Sequence, residues 1–167
     1  GIGGGIVMVP ALYFAFNSLG YEDPRVMHVA VGTSLAVIVA TSLRSVSAHA
    51  KRGAVDFKVL REWAPWIIAG TLIGTVIAHY LSGRMLTGIF GGMAMLLSLQ
   101  FFFGRPDWTL REDMPGGIAR IGLGGTIGAF SALMGIGGGV MGVTLMTLCG
   151  KPIRQAVATA AGFGVAI

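Results

Sequence analysis

The residues of this chain best suited to chemistry are glycines. GIGGGIVMVP occupies positions 1–10, and GIGGGVMGVT begins at Gly135. A glycine triplet against an apolar run permits positive φ and lets a ligand or another helix approach the main chain. If a helix starts there, its unpaired N–H groups and positive dipole end face whatever occupies the site, and an anion is the natural guest. The same triplet would equally let two helices cross closely. These two uses single out Gly3, Gly4, Gly5, Gly137, Gly138 and Gly139.

Hydroxyls are the second group. PRVMHVAVGTSLAVI follows the first cluster and PIRQAVATAAGFGVAI the second; both carry Pro, a basic residue, then Ala-Val-small-Thr-small. Thr33 and Thr159 occupy the matching position, and Ser34 adjoins the first. Each is a candidate donor to an anion, although such hydroxyls also bond back to their own helix. His28, Arg120 and Arg154 stand near the starts of apolar stretches. They would draw an anion along its path, an arginine bidentately, or else snorkel to an interface.

Several chemistries lack their residues. All seven carboxylates fall in loops or at the edges of apolar stretches, which leaves no relay for a proton pump or cation site. His28, His49 and His79 are too dispersed for a metal cluster, and no nucleophile adjoins a base. Neither a metal nor a cofactor is expected. GIGGG lacks the Lys-Ser or Lys-Thr ending of a phosphate loop and the spacing of a dinucleotide fingerprint. Cys149 stands alone, so no internal disulfide can form.

The elements that hold these residues must lie in lipid. The 167 residues are 54% apolar and 11% charged, and the charges separate long uncharged stretches. The net charge of +5 follows from loop composition; no basic stripe interleaved with aromatics suits a nucleic acid. Seven apolar stretches cover 6–19, 26–43, 63–82, 84–103, 116–134, 140–150 and 153 to the last residue. Four approach the roughly 20 residues of a membrane-crossing helix. The stretches after each GIGGG are shorter, and are either tilted spans or re-entrant segments sheltered by protein. Trp63, Trp66 and Trp108 at stretch ends are expected at headgroup level. Gly70 and Gly74, Gly88 and Gly92, and Gly124 and Gly128 carry the four-residue spacing of close helix packing.

If every stretch spans, loops 44–62, 104–120 and 151–154 share one side with ten basic residues, leaving Arg25 and Arg84 on the other. That asymmetry favours full spans over re-entrant segments, with the basic loops cytoplasmic. Five spans then separate the two GIGGG motifs, and an odd number inverts their direction. The expectation is an all-α polytopic integral membrane protein with two inverted-topology helical repeats, 1–104 and 116–167. The second is incomplete, and both lie in one transmembrane domain, 1–167, that reads as a piece of a longer protein. Symmetry of this kind is characteristic of secondary transporters, with the site between the repeats.

GIGGGIVMVPALYF, HVAVGTSLAVIVATS, SAHAKRGAVDFKVL and the returning SALMGIGGGVMGVTLM together resemble the TauE/SafE family of sulfite and organosulfonate exporters. The resemblance implies an all-helical permease of the bacterial inner membrane with two homologous halves. It also implies transport of small sulfur-containing oxyanions such as sulfite, sulfoacetate or thiosulfate. Where the first copy has VGTSLA the second has VATAAG, so Ser34 lacks a counterpart. The expected function is alternating-access export of such an anion across the bilayer, by a chain that is compatible with homo-oligomers. A permease for a carboxylate or divalent metal, or a membrane-embedded enzyme or assembly subunit, is the alternative.

Overall fold

The computed structural model describes residues 4–21, 23–103 and 113–167, and is helical throughout, with no strand among them. The helices are α1 (Gly5–Ser18), α2 (Val26–Ala50), α3 (Phe57–Tyr80), α4 (Gly83–Phe103), α5 (Gly117–Met134), α6 (Gly139–Leu148) and α7 (Ile153–Ala166). Each coincides with one of the seven apolar stretches. Their boundaries have local causes. Asp56 caps α3, its Oδ1 accepting the Val59 N–H at 3.1 Å. Ser82 Oγ accepts the Met85 N–H at 3.3 Å and starts α4. Gly135, at φ 65°, ends α5 in the left-handed conformation that only glycine adopts without strain.

Among the described residues, α2 and α5 are both long and apolar enough to cross a membrane, while α1 and α6 are apolar but shorter. At 1.5 Å per residue, α2 extends about 37 Å, α1 about 21 Å and α6 about 15 Å. A hydrocarbon core is about 30 Å thick, so α6, like α1, is too short by itself to cross it, where a full span was expected. The cause lies in the preceding turn, which reverses the chain inside the protein before α6 begins.

α3 and α5 form the closest helix pair and run in the same direction. Gly70 lies against Gly125, Gly74 against Ala129, and Gly128 against Ile67 and Thr71, with backbone touching backbone. A methyl group at Gly70, Gly74 or Gly128 would overlap the opposing main chain. Gly88 and Gly92 on α4 carry the same spacing yet face open space. Trp63 is the second departure from expectation: it is 1% exposed and packs with Val59, Ile67, Met146, Ala160 and Phe163. It shares the inward stripe of α3 with Val59 and Ile67, one turn to either side, so it serves the core and not a headgroup belt. Trp66 is half-buried beside Gly124, and Trp108 lies outside the described residues.

The charges divide between the two ends of the bundle. At one end Lys151 lies 3.6 Å from Asp56, and Arg120 lies 2.5 Å from Glu62, which ties the starts of α3, α5 and α7 together. Lys51, Arg52, Lys58 and Arg61 belong to the same end, since they stand on the α2–α3 connection and the first turns of α3. At the other end Gly83 packs on the Pro24 carbonyl, which brings Arg25 and Arg84 together with the starts of α2 and α4. α2 and α7 pack antiparallel: α7 starts beside Asp56, just beyond the end of α2, and its Gly164 reaches Ser42 farther back along α2.

Candidate functional site

The two glycine clusters meet. Gly5, at the start of α1, lies directly on the Gly135 carbonyl and the Ile136 Cα, so closely that a Cβ at Gly5 would overlap them. From Ser131 to Val140 every residue is buried. The turn between α5 and α6 is therefore sheltered by protein, the condition under which non-helical backbone is tolerated at membrane depth. Gly135, Gly137 and Gly138 have φ of 65°, 75° and 59°, and this series of left-handed residues reverses the chain between α5 and α6. Packing closes around each: Val9 and Val31 at Gly135, Ile38 at Gly137, Ile167 at Gly138. Ser34, fully buried on α2, donates its hydroxyl to the Gly135 carbonyl at 2.7 Å and fixes the turn to α2.

The backbone accounting at α6 is incomplete. The Gly139 N–H donates to the Gly137 carbonyl at 2.6 Å, and the Gly142 N–H to the Gly138 carbonyl at 2.8 Å. The N–H groups of Val140 and Met141 have no partner among the described residues, and no side chain caps the helix. α1 likewise starts without a side-chain cap or an acidic residue in its first turn. From this junction the two helices diverge. α1 runs toward the end holding Asp23 and Arg84, where Tyr13 and Asn17 line a cleft of about 700 Å³. α6 runs toward Lys151 and Asp56 at the opposite end. The positive dipole end of α6 thus lies in the buried turn, and that of α1 stands beside it at the exposed Gly4. At the start of α6 lies a cavity of about 10 Å³, lined by Leu97, Ser131, Met134, Ile136, Gly138, Val140 and Met141. That is room for about one water molecule.

The other candidate residues are placed as follows. Gly5, Gly137, Gly138, Gly139 and Ser34 gather at the junction, and Gly4 caps α1 at an exposed position. Gly3 lies outside the described residues. Thr33 is exposed, because the inward stripe of α2 runs through Ala30, Ser34 and Ile38, and one residue turns the side chain by about 100°. Thr159 is buried away from the junction; its Oγ1 accepts the Asp56 N–H at 2.9 Å. His28 Nε2 lies 3.0 and 3.1 Å from the carbonyls of Ala78 and Leu81, to which it serves as an N–H donor at the end of α3. Arg120 pairs with Glu62, and Arg154 is exposed at the start of α7. Two residues that define the junction were not singled out from the sequence: Gly135, whose carbonyl receives both Ser34 and α1, and Ser131. Their signal was the spacing in SALMGIGGG, where Ser131 stands one helical turn before the C-cap glycine.

Among the described residues no group of His, Cys, Asp or Glu has the arrangement of a metal site. No solved structure matches the chain. Among curated proteins, it is 31% identical over 99% of its length to a probable membrane transporter protein of Haemophilus influenzae, covering 62% of that protein. It is 28% identical over 97% of its length to a probable membrane transporter protein of Methanocaldococcus jannaschii, covering 60% of it. A third relative is the probable membrane transporter protein YunE of Bacillus subtilis, 29% identical, with 95% of this chain matched to 65% of that one. The chain thus spans about three fifths of the length of the curated relatives it matches. The family described as sulfite exporter TauE/SafE matches residues 1–167, from the first position to the last. With the quoted motifs, the helical architecture and this match in agreement, the chain is a membrane protein that belongs to the TauE/SafE sulfite exporter family.

Proposed function

We propose that this chain carries the substrate site of a multi-pass transporter that exports a small sulfur-containing oxyanion, such as sulfite or an organosulfonate, from the bacterial cytoplasm. The observation that carries the reading is the junction itself: Gly5 seated on Gly135, with two helix starts that carry no side-chain cap and diverge to opposite ends. Helix-start N–H groups and dipole ends replace water around an anion without a fixed counter-charge, so the ion can leave again. The family description supports the substrate class, and the relatives' names support transport.

The helix directions favour two inverted repeats, 1–104 and 116–167. α1 and α6 leave the junction in opposite senses, and their partners α2 and α7 pack antiparallel. In this reading the basic end faces the cytoplasm, and alternating access exposes the junction first to one end and then to the other. A negative interior would drive export at about 2.3 kcal/mol per charge per 100 mV. In this reading the small cavity at the start of α6 is the closed form of the site.

The test is flux of radiolabelled sulfite through proteoliposomes of the intact protein, with taurine, acetate and Ni²⁺ as competitors and an imposed membrane potential. Saturable flux that taurine inhibits and that the potential accelerates is the expected result. Inhibition by acetate or Ni²⁺ without inhibition by taurine would assign a carboxylate or metal substrate instead.

A further inference from the structure

One buried hydroxyl at the junction has no structural task. Ser131 is 2% exposed, and its Oγ makes no hydrogen bond among the described residues. Other inward-facing hydroxyls are committed: Ser34 donates to Gly135, Thr71 to Ile67 and Thr147 to Val143. Ser131 Oγ faces Gly138 and lines the cavity at the start of α6, together with Val140 and Met141, whose N–H groups also lack partners among the described residues. Three unused donors therefore surround one small enclosure. Buried polar groups are ordinarily paired, and a set left open together at an uncapped helix start is built for a ligand.

Resting on the transport reading above, we propose that Ser131 and the first-turn amides of Val140 and Met141 form the oxyanion subsite. In it the hydroxyl and the two N–H groups donate to one oxygen of a sulfonyl, sulfite or carboxylate group. The enclosure of about 10 Å³ matches a single oxygen and not a whole ion, so the wall must move when substrate enters. Leu97 and Met141 are the movable part. Both line this cavity and also a wider groove of about 290 Å³ between α4 and the α5–α6 hairpin, and methionine adapts readily to a new shape. Ser131, not Thr33 or Thr159, is the hydroxyl that touches the substrate, and Ser34 positions it indirectly by holding Gly135.

Two measurements on the intact reconstituted protein test the proposal. Ser131→Cys, in a background free of other reactive cysteines, is labelled with an uncharged maleimide in the presence of methanesulfonate, taurine or acetate, none of which reacts with the maleimide at neutral pH. In parallel, sulfite flux is compared among wild type, Ser131→Ala and Ser131→Thr. The expected results are slower labelling with at least one anion, and a roughly tenfold higher half-saturation concentration for Ser131→Ala at unchanged maximal flux. Ser131→Thr, which keeps the hydroxyl, should stay near wild type. Protection by acetate but not by methanesulfonate or taurine would leave the subsite standing and overturn the sulfur substrate. No protection by any of the three anions, or wild-type half-saturation for a transporting Ser131→Ala, would overturn the subsite itself.

Discussion

Glycine does two different jobs along α5 and in the turn that follows it. At the α3–α5 contact, Gly70, Gly74 and Gly128 keep helical backbone and let two main chains touch. At the α5–α6 turn, Gly135, Gly137 and Gly138 leave helical space, reverse the chain and expose N–H groups to a buried cavity. In the first arrangement the glycines stay inside regular helix. The second leaves the Val140 and Met141 N–H groups without a partner among the described residues, which is the physical ground for proposing a site there and not at the seam. Glycine content alone would not separate the two; φ and the hydrogen-bond accounting do.

Substitutions can break that comparison at either side. The largest effect is expected for Gly128→Leu, which forces a side chain into the Ile67 carbonyl and the Thr71 amide; thermal unfolding in detergent should show a loss of at least about 3 kcal/mol. Gly137→Ala should lose about 2 kcal/mol, because alanine is disfavoured at φ 75° and its methyl meets the Ile38 side chain. Adding Ile38→Ala relieves the contact and not the strain, so a double-mutant cycle should show a coupling of at least about 0.5 kcal/mol. Ser34→Ala removes a buried hydrogen bond from the turn and should lose about 1 kcal/mol while leaving α3–α5 packing unchanged. Gly88→Ala, which meets nothing, should be neutral or stabilise by up to about 1 kcal/mol. If Gly88→Ala destabilised as much as Gly137→Ala, the division between the two kinds of glycine would fail.

The helices were legible in the sequence because hydropathy and loop charge report which segments leave water. All seven stretches recur as α1 to α7, with α2 and α3 extending one or two turns beyond the apolar windows. Which face of each helix turns inward was not legible. In lipid both faces are apolar, so the periodicity that marks a core face in a soluble helix is weak. Thr33 and Ser34 are neighbours of equal plausibility, yet Ser34 is buried and Thr33 exposed. The motif match paired Thr33 with Thr159, whose hydroxyl is instead engaged with the Asp56 amide. Trp63 was misplaced for the same reason: its position near a span end is correct, but its direction is inward. The repeated GIGGG carried better information, since only glycine permits both the left-handed turn and the seating of Gly5 on Gly135.

The central claim is that the buried glycine turn, and not the glycine face of α4, handles the anion. Sulfite flux of the intact protein in proteoliposomes, compared for Gly138→Leu and Gly88→Leu at equal amounts of folded protein, tests it most directly. A side chain at Gly138 would enter the space at the start of α6 beside Ser131, whereas one at Gly88 would point into the surroundings. The account predicts that Gly138→Leu falls to roughly a tenth of wild-type flux or less while Gly88→Leu keeps it. Wild-type flux from a folded Gly138→Leu protein would contradict it.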